Sequence, residues 1–289
     1  MGRKGLRKSS LFDYFNISFL GVLGLLCLLP FIHVLAKSLS NSGAVLSGKV
    51  GLFPVGIHFK NYLQVIVDPR FLNAFKITFF VTVVGTILSL LITILTAYPL
   101  SKPEFRGRKI FMIMYVFAMV FYGGMVPNFM LVQYIGLIDT VWAMILPFLV
   151  IPFNLFVIKT FFEGLPKSIE ESAKIDGATD LRILFSIILP ISLPVLATIG
   201  LFYAVNYWNS YFHAMLFISS QELKPLQVYL LEMIQGSEEI TRMNAEENAN
   251  FTPEGIRATT VMLAALPIIA VYPFIQRHFT KGLTLGSTK

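Results

Sequence analysis

The sequence predicts an all-α integral membrane protein with six transmembrane helices, and three observations predict it. Hydrophobic residues fill 55% of the 289 positions and charged residues only 13%, about half the charged share of a soluble domain. The apolar residues gather in runs of about 20 or more, the length a helix needs to cross a hydrocarbon core of roughly 30 Å. The basic residues collect at alternate ends of those runs, the pattern that orients spans in a membrane. In lipid the backbone must satisfy its own hydrogen bonds, so spanning segments of this composition are helices.

The predicted spans cover residues 12–36, 71–100, 110–126, 141–161, 189–218 and 256–279. They form one transmembrane domain, 12–279, between a basic segment at 1–11 and a tail at 280–289. Arg3, Lys4, Arg7 and Lys8 precede the first span and place the N-terminus in the cytoplasm. Lys102, Arg106, Arg108 and Lys109 crowd the loop after the second, and Lys167, Lys174 and Arg182 follow the fourth. Arg277, Lys281 and Lys289 follow the sixth, so the C-terminus is also expected inside. The acidic cluster Glu238, Glu239, Glu246, Glu247 and Glu254 falls outside. The first apolar run ends in Val34-Leu35-Ala36, which imitates a cleavage site. At about 25 residues it exceeds a signal-peptide core of roughly 7–15, which favours a retained helix.

The net charge of +7 is spent on topology; no basic stripe with interleaved aromatics points to nucleic acid. Cys27 is the single cysteine and can form neither an internal disulfide nor a thiolate metal site. Two outer segments, 37–70 and 219–255, are long enough to fold over the membrane, as solvated connectors or as a docking surface for an external partner. Short amphipathic pieces are expected at His58–Leu63 and Leu226–Gln235. Thr252-Pro253-Glu254 reads as cap, first-turn proline and acid at the start of span six.

No Asp or Glu lies in the middle of a span, which weakens a proton-driven mechanism, although backbone carbonyls can bind sodium. His33 and Lys76 sit near outer ends, where such side chains anchor at the interface. The sequence holds no G-x-x-x-x-G-K-[ST], no G-x-S-x-G and no H-E-x-x-H, so neither a nucleotide cradle nor a catalytic or metal site is expected. If the protein moves a solute uphill, another subunit supplies the energy. Span two carries Gly85, Ser89, Thr93 and Ala97 at four-residue intervals. Such a stripe lets a second helix approach closely, from this chain or from a partner.

The most informative stretch runs from Glu163 to Pro194 on the inner side. Ser168 and Glu171 have capping-box spacing at the head of a short helix, Ser168–Ile175. Gly177 supplies the positive φ that ends it. Thr179 or Asp180 then caps a second helix with Leu181, Leu184, Phe185 and Ile188 on one face. Pro190 and Pro194 predict a bend as the chain enters span five.

Glu171-Ser172-Ala173-Lys174-Ile175-Asp176-Gly177-Ala178, followed by Phe185 and Leu189-Pro190, resembles the E-A-A…D-G-A…L-P loop of binding-protein-dependent ATP-binding-cassette importers, with Ser172 where the family has Ala. Phe59-Lys60-Asn61-Tyr62, the Ala97–Arg108 junction and Tyr207-Trp208-Asn209 resemble the carbohydrate-uptake branch; the tail Lys281–Gly286 is similar to that of the second permease of maltose-type systems, and Gln227 after Pro225-Leu226 resembles the oligo- and polysaccharide permeases. The resemblance implies a heterodimer of two permeases in the cytoplasmic membrane, two ATPase subunits and an extracellular solute-binding protein. It implies ATP and magnesium on the ATPase subunits and no cofactor on this chain. Residues 162–188 become the coupling loop, in which Glu170, Glu171, Ser172, Ala173, Lys174, Asp176, Gly177 and Ala178 transmit force without doing chemistry.

For a sugar path the chain offers Asn206, Tyr207, Trp208, Asn209, Ser210 and Tyr211, aromatic faces beside amide groups. Tyr211 equally suits an aromatic belt at the interface. An ion-coupled secondary transporter, a permease for a non-sugar solute and a membrane scaffold or sensor remain as alternatives.

Overall fold

The computed structural model describes residues 11–121, 123–243 and 252–285. The basic lead Arg3, Lys4, Arg7 and Lys8, and Glu246, Glu247 and Lys289, lie outside them. All regular structure among the described residues is helical.

One unit is formed by residues up to Asp68 together with 232–264. Its first element, α1 (Leu11–Ser38), is apolar on every side and almost wholly exposed along its length. Such a surface is stable only against lipid or another apolar chain. α2 (Ser42–Leu46) begins at Asn41, whose side chain accepts from the Ala44 N–H at 2.8 Å. His33 Nδ1 lies 2.8 Å from the Gly51 carbonyl oxygen, which fixes the ring as an anchor. The expected amphipathic piece appears two residues later than its sequence pattern, as α3 (Lys60–Val67).

α12 (Leu226–Met243) runs past the expected Gln235, and α13 (Pro253–Leu285) opens as predicted. Thr252 Oγ1 accepts from the Gly255 N–H at 3.1 Å. Glu254 in the first turn pairs with Lys37 at 3.3 Å. Thr259 Oγ1, buried, bonds the Gly255 carbonyl at 2.9 Å.

The second unit holds Pro69–Leu231 and the residues from Ala265 onward. α4 (Pro69–Ser101) is its axis, about 50 Å long at 1.5 Å per residue. α5 (Arg108–Val120) and α6 (Met125–Tyr134) replace the continuous span expected at 110–126. Gly124 adopts φ 92° between them and Pro127 sits in the first turn of α6, so one helix cannot run through.

The span expected at 141–161 is likewise broken. Two 3₁₀ turns, Val141–Met144 and Leu146–Phe148, meet α7 (Pro152–Glu163) at 48°. Pro147 and Pro152, each lacking an N–H, flank the break.

α8 (Lys167–Ile175) lies ahead of an unbroken helix, Asp180–Trp208. That helix comprises α9 (Asp180–Ile183), a π turn at Leu184–Ile188 and α10 (Leu189–Trp208). The second short inner helix is therefore the inner end of span five itself. Pro190 and Pro194 lie inside this continuous helix, with the π turn just upstream. The helix ends at Trp208, ten residues before the expected Ile218, and α11 (Phe212–Phe217) is separate. By length and composition, three described helices are able to cross a membrane, or up to five with each bent pair as one span.

Candidate functional site

The small-residue stripe of α4 is the seat of α10. Gly85, Ser89, Thr93 and Ala97 are all buried, and α4 packs chiefly on α10 and α7. Gly85 leaves room for the ring of Tyr207, whose Cε2 and Cζ atoms lie 2.8 Å from the position a Cβ would take. Ser89 Oγ is 2.8 Å from the Tyr207 hydroxyl, and Thr93 Oγ1 is 2.7 Å from the Tyr203 hydroxyl. The partner that the stripe predicts is thus a helix of this chain.

The same two tyrosines repair the break before α7. Ile151 donates its N–H to the Tyr203 hydroxyl at 3.1 Å, and the Tyr207 hydroxyl donates to the Ile145 carbonyl at 3.3 Å. A phenol has one proton. With that of Tyr207 on the carbonyl, Ser89 must donate to Tyr207. A backbone N–H freed by a helix break has no water to turn to in an apolar interior; here α10 supplies the acceptor for Ile151, while the Ile145 carbonyl, already bonded to the Phe148 N–H at 3.1 Å, gains a second partner.

The residues nominated for a solute path separate by burial. Tyr207 and Trp208 are buried against α4, with Trp208 edge-on to Phe75 at 6.0 Å between centroids. Asn206, Asn209 and Tyr211 are exposed and Ser210 half-buried. Tyr207 therefore serves packing, and only the exposed residues remain available to a solute. Helical periodicity forces this division, because Asn206 and Tyr207 differ by about 100° around the axis.

Below this core the inner loop is tightly organised. Helix α8 starts after Pro166, and no side chain caps it, so the capping box expected from Ser168 and Glu171 does not form. Its end is as expected: Gly177 takes φ 78°, and the Ala178 N–H reaches back to the Ala173 carbonyl at 2.9 Å. Thr179 Oγ1 then accepts from the Arg182 N–H at 3.4 Å and starts α9. Ala173 is buried, Ala178 is half-buried, and Glu171, Ser172, Lys174, Asp176 and Gly177 are exposed. Lys174 pairs with Asp180 at 3.2 Å.

The apolar set expected on one face of the second helix divides: Leu184 and Ile188 are buried, whereas Leu181 and Phe185 are exposed. Two features of this loop go beyond the sequence reading. Ile175 stands 86% exposed at the end of α8, and Leu181 and Phe185 are also exposed on the next helix. The available signal was an isoleucine at the close of a mostly polar helix. The second feature is a set of ion pairs. Lys102, just beyond α4, bonds Glu170, while Glu163 accepts from both Arg108 and Lys159, the latter at 2.7 Å. Lys102, Glu163 and Glu170 line a cleft of about 550 Å³ with Tyr98, Glu171 and Asp180.

On the opposite, predicted outer, side, Asp139 ties the loop after α6 to the loop after α11. It takes φ 59°, the only positive φ of a described non-glycine residue. Its carboxylate accepts from the Ser220 hydroxyl and from the N–H groups of Ser219 and Ser220, both at 2.9 Å. The Ser220 side chain is the main cause, with the two amides behind it, of a carboxyl held below its ordinary value.

A family model described as binding-protein-dependent transport system inner membrane component matches residues 78–285. Protein LplC of Bacillus subtilis is 42% identical over 280 residues, 96% of this chain and 95% of that one. The polygalacturonan/rhamnogalacturonan transport system permease protein YtcP, also of B. subtilis, is 42% identical over 284 residues, 98% of this chain and 99% of its own. Among solved structures, a chain from a bacterial ABC transporter involved in the import of the acidic polysaccharide alginate superposes with a TM-score of 0.88 at 35% identity. That match covers 95% of this chain and 100% of the other.

Proposed function

Because the chain belongs to the binding-protein-dependent transport system inner membrane component family, we propose that it is a permease subunit of an ATP-driven importer and forms, with a second permease, the path for a sugar or oligosaccharide. The observation that carries this reading is the inner loop: α8 leaves Glu171 and Ile175 exposed, and the helix that follows leaves Leu181 and Phe185 exposed. An apolar patch beside a charge suits a protein cleft.

On this reading six spans cross the cytoplasmic membrane with both termini inside, and each bent pair counts as one. Two ATPase subunits hold ATP and magnesium, this chain binds no cofactor, and an extracellular binding protein delivers the solute. Glu171, Ser172, Ala173, Asp176, Gly177 and Ala178 transmit force. The exposed Asn206, Asn209 and Tyr211 are the candidates for solute contact. Support for the solute class comes from the relatives, one named for polygalacturonan and rhamnogalacturonan and one from an alginate importer. Acidic oligosaccharides are accordingly the first to test.

The test is to purify the tagged chain from its host in mild detergent and identify its companions by mass spectrometry. A second multi-span permease and a P-loop ATPase are expected. Glu171→Lys should shed the ATPase and keep the permease. Gly177→Pro, which cannot take φ 78°, should do the same. Recovery of the chain alone, still competent for ion-driven uptake in vesicles, would refute the reading.

A further inference from the structure

We propose that Lys102 and Glu170 are positioning residues that pass movement of α8 directly into the inner end of α4, a non-covalent arm beside the chain itself. The proposal rests on the coupling role of α8 given above.

Helix α8 is joined covalently to α7 before it and to the Asp180–Trp208 helix after it. Neither connection reaches α4, the helix on which α10 and α7 pack. Glu170 and Glu171 are adjacent, so they point about 100° apart. Glu171 is exposed, and Glu170 is turned inward onto Lys102. The pair is largely shielded, with side-chain exposures of 26% for Lys102 and 15% for Glu170. An exposed pair is worth little because water and salt screen it and its side chains stay free; a shielded one resists displacement.

The Lys102 ammonium also lies 4.6 Å from the centre of the Tyr98 ring. A cation held by both a carboxylate and an aromatic face is fixed in two directions. Tyr98 in turn meets Phe162 of α7 edge-on at 6.2 Å. At its other end the 102–108 turn is fastened by Arg108, which bonds Glu163 and donates its Nε–H to the Leu100 carbonyl at 2.9 Å. The turn that closes α4 is therefore gripped by one carboxylate from α7 and one from α8. A push delivered on the Glu171 side of α8 arrives at α4 through Glu170.

The experiment uses the whole transporter in nanodiscs, with Cys27→Ser removing the native thiol. Spin labels go at Arg106→Cys, in the gripped turn, and Lys167→Cys, at the start of α8. Both side chains are exposed. Label-to-label distances are measured by pulsed electron resonance without nucleotide and with MgATP and vanadate. In the wild-type background the distance should stay unchanged, because the turn and α8 move as one body. Lys102→Met and Glu170→Gln should each make it shift with nucleotide, and the exchanged pair Lys102→Glu with Glu170→Lys should abolish that shift.

A wild-type distance that changes with nucleotide, single variants whose distance does not, or an exchanged pair that behaves like the singles would each overturn the proposal. Those outcomes, with the ATPase present, leave the importer reading standing. Absence of any ATPase from the wild-type preparation overturns both.

Discussion

Replacing Gly85 by alanine places a methyl group against the ring of Tyr207. A Cβ there would lie 2.8 Å from Cε2 and Cζ and 3.0 Å from Cδ2, far inside a carbon–carbon optimum of roughly 3.5–4.0 Å. The ring cannot swing away freely, because its hydroxyl is held by Ser89 at 2.8 Å and by the Ile145 carbonyl at 3.3 Å. Overpacking a tight core costs about 1–3 kcal/mol, and a lost interhelical hydrogen bond in a membrane protein adds about 0.6 kcal/mol. Gly200→Ala is the matched control, since its Cβ would meet only the Leu90 Cδ1 methyl at 3.1 Å. Alanine's advantage over glycine within a helix, roughly 1 kcal/mol, applies at both positions, so the difference between the two variants isolates the clash. Unfolding of the purified chain by SDS in mixed micelles measures it. Gly85→Ala should be less stable than Gly200→Ala by about 2 kcal/mol, and the gap should close in a Tyr207→Ala background. Equal stabilities, or a gap that survives removal of the Tyr207 ring, would refute the reasoning.

Two further expectations follow from the same geometry and from the outer loops. Tyr203→Phe strips the acceptor from the half-buried Ile151 N–H; an orphaned amide costs about 1–3 kcal/mol, and exchange of that amide in micelles should accelerate while amides in α8 stay unchanged. For Asp139 the folded carboxyl is shifted down, so its contribution is present above the unfolded value of about 3.9 and is lost as pH falls through the lower folded value. Protection factors of the Ser219 and Ser220 amides should accordingly hold from neutral pH to about 4 and drop below it. In Asp139→Asn, which tolerates a positive φ, they should be flat with pH; persistence of the acid-induced drop in that variant would contradict the assignment.

Run length made the long helices legible. Leu11–Ser38, Pro69–Ser101 and Pro253–Leu285 each contain a predicted span, because hydropathy persists as long as the helix does. The breaks in the third and fourth spans were hidden for the same reason: apolar residues continue across them, and only Gly123-Gly124, Pro127, Pro147 and Pro152 mark the interruption. Within the inner loop, Gly177 and Thr179 were readable because a helix end demands particular backbone and side-chain chemistry. The capping box was a spacing that Pro166 pre-empted by starting the helix one residue early. The bond between Lys102 and Glu170 joins residues 68 apart, and no local pattern reports a contact of that range. Lys102 looked like one more positive charge in an inner loop. The aromatic-amide run at Asn206–Tyr211 showed which chemistry was present, but the packing of α10 on α4 decided which of those residues kept an open side.

The break before α7 has a bearing on how the protein is made. Its Ile151 N–H is completed by the hydroxyl of Tyr203, which lies more than fifty residues later and leaves the ribosome after it. A helix interrupted in this way, released alone into lipid, carries an unpaired amide that costs several kcal/mol. Residues 141–163 are therefore poor candidates for insertion one span at a time. They are better retained at the insertion site until α10 arrives, so that the two segments enter the bilayer as a pair, with α4 already waiting to receive them.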